Sequence, residues 1–169
     1  MFAGMNKRIF AKIEKLVNLG FGNIEIKRQL ENENIKLGNS TIYRYALKLK
    51  DKFYRSRIID FDYLEDTIII PAKITKQKER GIFIEFALQP LKNILLKQDK
   101  KVIPYFSKDF SKMLIVPQHK SKIKLSPKKS SPAIMLSFSR FVEDNEKFPD
   151  KIDLYIPLKK FGIADFQTI

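Results

Sequence analysis

The chain of 169 residues has no cysteine, which excludes disulfides, cysteine-based zinc sites and thiol nucleophiles. It has one histidine, His119, so a multi-histidine metal centre is excluded and a Ser-His-carboxylate triad has little to stand on. Glycine is scarce at 6 residues, and none falls in the G-x-x-x-x-G-K pattern that cradles phosphates. No apolar run approaches the ~18 residues of a membrane span. Met1 to Arg8 lacks the long apolar stretch of a signal peptide. These absences lead to the expectation of a soluble, cytoplasmic protein with no membrane partner. No cofactor is expected.

A hydrophobic content of 44% supports a packed core and excludes wholesale disorder. Lys and Arg number 33 against 19 Asp and Glu, a net charge of +14. An excess of that size points to polyanions, most often nucleic acid. The charge is uneven. Residues 1–57 carry +8, 58–91 carry −2, 92–129 carry +9 and 130–169 carry −1. Two basic zones alternate with two near-neutral ones, where a generally basic solvated surface would spread its charge.

The first zone reads as three helices. Asn6 can cap a helix from about Lys7 to Leu19, whose Ile9, Phe10, Ile13, Leu16 and Val17 form one stripe. Gly20-Phe21-Gly22 breaks it, with Gly20 placed where a helix end wants positive φ. Asn23 can cap a second helix to about Glu31, with Ile26 and Leu30 on one face. A polar connection follows, anchored by Ile35 and Leu37. Asn39 or Ser40 can cap a third helix with Ile42, Tyr45, Ala46 and Leu49 inward. Its other face holds Ser40, Thr41, Tyr43, Arg44 and Lys48. A short connection into a helix with a basic outer face describes a helix-turn-helix unit.

The stretch LENENIKLGNSTIYRYALKL, Leu30 to Leu49, resembles the second and third helices of winged helix-turn-helix domains. Similar segments occur in arginine-repressor-type regulators and in the DNA-binding domains of some transposases. STIYRY is also similar to resolvase and invertase recombinases, but the longer spacing from Leu30 to Ile42 favours the winged class. The resemblance covers about residues 5–52. It implies that Asn39, Ser40 and Thr41 meet phosphate at the helix start and that Tyr43 and Arg44 reach base edges. Lys48 and Lys50 lie further along, suited to the phosphate backbone. The bland alternative is a solvated basic face or a protein-binding module.

From Ile58 the apolar runs become short and β-branched, and the residues from Asp51 to Arg57 read as a boundary: a short wing, a helix extension or a linker. The expectation is thus an α+β chain, with a helix-turn-helix domain over 1–57 and a mainly β domain over 58–169. Strands are expected at Arg57–Tyr63, Thr67–Thr75, Gly81–Leu88, Lys112–Val116, Lys122–Leu125, Ala133–Phe141 and Lys151–Ile156. Pro90–Lys97 reads as a short helix. Lys120, Lys122 and Lys124 alternate with Ser121, Ile123 and Leu125, and Lys128 and Lys129 follow. Together they are a candidate second DNA contact, on a hairpin with Met113–Pro117 or on an edge strand guarded by lysine.

No catalytic constellation emerges. Asp60, Asp62, Glu65 and Asp66 cluster as a turn would, and Glu85, Asp150 and Asp153 lack the neighbours of a metal-dependent nuclease. None of the six tyrosines has the His or Arg set of a nucleophile. The reading is therefore a non-enzymatic, sequence-specific binder of double-stranded DNA. A homodimeric, nucleoid-associated transcriptional regulator is the leading form. The alternatives are a replication, partition or recombination protein of a plasmid, virus or transposon, and a protein-interaction module or nuclease-related subunit.

Overall fold

The computed structural model describes residues 7–77, 81–87, 101–127, 133–137 and 148–163. Three helices come first: α1 (Lys7–Asn18), α2 (Asn23–Asn32) and α3 (Asn39–Arg55). The chain is α+β, since a seven-stranded sheet follows. Its strands are β1 (Thr67–Gln77), β2 (Gly81–Ala87), β3 (Val102–Phe106), β4 (Lys112–Pro117), β5 (Lys124–Pro127), β6 (Ala133–Ser137) and β7 (Lys151–Pro157).

The helical stripes pack as their spacing demands. Ile13 and Val17 of α1, Ile26 and Leu30 of α2, and Ile42, Ala46 and Leu49 of α3 form one buried cluster with Phe21. Ile35 and Leu37 pin the α2–α3 connection against it. Gly20 has φ +84, the left-handed conformation expected where α1 ends. The caps differ from expectation. Gly22 and Gly38, both extended, are the N-caps of α2 and α3, and neither helix has a side-chain cap. Asn23 and Asn39 are instead the first helical residues; the Asn23 side chain accepts from the N–H of Ile24. Asn6 lies outside the described residues.

The strands run in the order β3-β4-β7-β1-β2-β6-β5, antiparallel except for β4 beside β7. The two edges meet. Lys101 of the β3 side bridges Lys124 of β5, and the N–H of Val102 donates to the carbonyl of Ile123 at 2.8 Å. The sheet thus closes on itself as a barrel. Alternate residues point inward: Ile70, Ala72 and Ile74 of β1, Ile84 and Phe86 of β2, Ile152, Leu154 and Ile156 of β7, and their counterparts on the other strands.

The third helix does not stop at Leu49. It continues to Arg55 and carries Phe53 and Tyr54 into the barrel core. Of the three readings of residues 51–57, the structure has the helix extension. The spacing Ile42, Ala46, Leu49, Phe53 keeps one buried stripe running through both clusters. Tyr54 meets Phe106, Phe110 and Phe148 at ring-centroid distances of 5.3, 5.7 and 6.1 Å. Those three phenylalanines also contact one another. The end of α3 is a plug in the barrel.

Two strand expectations need correction. Arg57–Tyr63 is not a strand: it shrinks to one bridge, Ile58 beside Phe106, followed by a 3-10 turn at Phe61–Tyr63. The Asp60 carboxylate causes the turn by accepting from the N–H of Asp62 at 3.0 Å. β3 was not expected. Its Pro104 is tolerated opposite Ile115 near one edge of the sheet. The expected helix at 90–97 and the ends of the strands expected to reach 88 and 141 lie outside the described residues.

Candidate nucleic-acid interface

α2 and α3 are joined by residues 33–38. The carbonyl of Leu30 accepts from the N–H groups of Glu33 and Ile35, at 3.0 and 2.9 Å, and Asn34 takes φ 62 to turn the chain. α3 leaves this turn with Ser40, Tyr43, Arg44, Leu47 and Lys48 exposed. They follow one another at three, four, seven and eight residues, which makes one stripe along the helix. Asn39 is exposed at the helix start and Thr41 is half-buried. Lys50 lies on α3, but its side chain is outside the described ones.

Three of the five acidic residues of this unit are engaged away from that stripe. Glu14 holds Lys52 at 2.7 Å, Glu25 holds Arg28 at 3.1 Å and Glu33 holds Lys12 at 2.6 Å. Arg44 makes no ion pair or hydrogen bond among the described residues. The charge at the centre of the stripe therefore faces outward without a carboxylate beside it.

The second basic run has the expected alternation but not the expected partner. Lys120, Lys122 and Lys124 are exposed while Ser121, Ile123 and Leu125 are buried. The hairpin with Met113–Pro117 does not form, because β4 pairs with β3 and β7 whereas β5 pairs with β6. The backbone groups between them go elsewhere. The N–H of Lys122 and the hydroxyl of Ser121 both donate to the carbonyl of Leu19, at 2.7 and 3.2 Å. Ile123 presses on Gly20, where a Cβ would lie 2.6 Å from Ile123 Cγ1. The Lys122 ammonium sits 5.2 Å from the ring centre of Phe21. Residues 118–124 thus form a strap that fastens the α1–α2 turn to the barrel and carries its lysines on the outside. Lys128 and Lys129 lie outside the described residues.

Arg57 is the third fastening, and sequence reasoning missed it. It is 8% exposed, stacks 4.1 Å over the Phe53 ring and donates to the carbonyls of Phe53 and Asn18 at 3.2 and 2.8 Å. Those carbonyls belong to the C-terminal turns of α3 and α1, the negative ends of both helices. Burial pushes its guanidinium below the usual arginine range, with the nearby Tyr105 acting the other way. A cleft of about 450 Å³ opens beside it, lined by Lys15 from the helices and Lys120 from the strap.

Three of the carboxylates considered for catalysis sit in separate structural settings. Asp60 starts the 3-10 turn and Asp66 pairs with Lys159 at 3.1 Å. Glu85 stands opposite Lys73 across β1 and β2. Asp109, beside Asp60 and Asp62 in a cleft of about 510 Å³, is held at about 2 by hydrogen bonds from the Ser111 hydroxyl and N–H and the Ser107 hydroxyl. Among the described residues, no group of three or more His, Cys, Asp or Glu side chains could hold a metal ion. His119 is exposed on the strap. No described helix is long and apolar enough to cross a membrane. No protein-family model, curated protein or solved structure matches the chain.

Proposed function

We propose that the chain is a sequence-specific double-stranded DNA-binding protein, acting as a homodimeric transcriptional regulator. The helical unit serves as a helix-turn-helix of the winged type, and the barrel supplies the β element that follows the third helix. The observation that carries this reading is the outward stripe of α3. Ser40, Tyr43, Arg44 and Lys48 stand exposed along the second helix of a helix-turn-helix pair, with Arg44 unneutralised in a segment of charge +8. A helix of that kind fits the major groove, where arginine can take guanine O6 and N7 together. The phosphates favour the surrounding lysines without regard to sequence.

A second reading, a replication, partition or recombination protein of a mobile element, is favoured by the strap. Its lysines lie on the barrel yet are fixed to the α1–α2 turn, so the barrel would share the DNA with the helices. Selection of bound duplexes from a random library at ~0.15 M salt tests both, because non-specific contacts are then partly screened. A recovered motif with two-fold symmetry is the expected result. An asymmetric or repeated motif transfers the proposal to the mobile-element reading, and no enrichment overturns both.

A further inference from the structure

Four large apolar side chains stand exposed among the described residues, and two of them, Tyr43 and Leu47, lie on the outward stripe of α3. Leu47 is 43% exposed and one helical turn beyond Tyr43, at 41%. Arg44 and Lys48 flank them on the same face. The helical cluster explains the inward residues, Ile42, Ala46 and Leu49, but not Leu47. An apolar pair set between cations does not suit a purely electrostatic contact with phosphates, for which serine or lysine would serve better.

The major groove offers one apolar group, the C5-methyl of thymine. A side chain there gains by removing that methyl from water, while the neighbouring cations gain from the phosphates on either side. We infer that Leu47, with Tyr43 beside it, reads thymine methyl groups, so that the DNA recognised is specified by thymine at the positions facing α3. This inference rests on the DNA-binding reading and names the base class that reading leaves open. Charge complementarity selects the occupant: a hydrophobic protein partner would have to bury Arg44 and Lys48 as well.

The test uses duplexes selected by the full-length protein from a random library. The enriched pool is copied twice, once with thymidine and once with deoxyuridine, which lacks only the methyl group. The uracil pool should bind about fourfold more weakly for each thymine methyl that the protein covers. Leu47→Ala is an exposed change to a good helix former, so circular dichroism should remain that of the parent protein. This variant should bind the two pools with more nearly equal affinity. Equal binding of both pools by the parent protein overturns the inference and leaves the DNA-binding reading intact. Undiminished discrimination by Leu47→Ala overturns the assignment to Leu47. A library that yields no enriched pool overturns the inference together with the reading beneath it.

Discussion

The helical unit and the barrel treat apolar surface in opposite ways. The barrel hides what it cannot enclose: Leu114 and Tyr155 point outward from β4 and β7, and the chain folds back to lay Phe61 over them, with the Phe61 and Tyr155 rings 4.9 Å apart. Ile69 on β1 is its exception among the described residues. The helical unit keeps eight side chains in its buried cluster and leaves Ile24, Tyr43 and Leu47 in solvent. A core that small seldom holds a domain by itself. The unit instead leans on the barrel through α3, Arg57 and the strap. The difference is one of division of labour: the barrel supplies rigidity, and the helices supply the face that is left uncovered.

The most severe way to break this comparison is to remove the plug. Tyr54→Ala should lower the free energy of unfolding by about 3–5 kcal/mol, read from urea denaturation followed by circular dichroism. A loss below about 1 kcal/mol would show that the barrel does not depend on α3.

Next is the strap. Gly20→Ala must hold a left-handed backbone and crowd Ile123, so a loss of about 2–4 kcal/mol is expected. Adding Ile123→Ala should cost less than the sum of the separate changes, since the two share one contact. Strict additivity in the thermal melts would separate the helices from the strap.

Arg44→Ala sharpens the contrast from the other side. It should weaken binding to a selected duplex by about 1–3 kcal/mol. Stability should change by no more than about 0.5 kcal/mol, because nothing described in the fold uses Arg44. Unchanged affinity would remove Arg44 from the interface.

The smallest expected effect concerns Asp109. Its folded pKa is depressed to about 2, below the usual carboxylate value near 3.8, so its hydrogen bonds contribute stability above pH 3.8. That contribution is lost as pH falls through about 2. Carboxyl chemical shifts should show Asp109 titrating near 2, and a midpoint near 4 would mean that the Ser107–Ser111 turn does not hold in solution.

Much of this was legible in the sequence. The stripes of α1, α2 and α3, the anchors Ile35 and Leu37, and the short β-branched runs that form β1, β2, β4 and β7 are local patterns, and the chain kept them. The α3 extension was ambiguous because Asp51, Lys52, Arg55 and Arg57 surround Phe53 and Tyr54, masking two core residues in a charged run. β3 was missed because it is only five residues long, follows Lys100 and Lys101, and has Pro104 at its centre. The caps moved because extended glycines at 22 and 38 began the helices one position before the asparagines. Sheet order, closure at Lys101 and Lys124, and the fastening of the strap to Leu19 are decided between distant segments, which no local period records. At the candidate interface, the basic half of the α3 stripe was read from the residue types. Leu47 was passed over, since a leucine next to Ala46 in an amphipathic helix is ordinarily taken as part of its buried side.

The helix shared by the two cores works as an axle. Its buried side runs unbroken from Ile42 to Phe53, so the direction in which Arg44 and Leu47 face is set by how the far end is gripped. One residue inserted between Leu49 and Phe53 would turn the outer end by roughly 100°, so that one core would stay well packed only if the other let go. The spacing between these two residues acts as a gear setting: it fixes the heading of the uncovered face, and evolution can alter that heading only by rebuilding one of the two sockets.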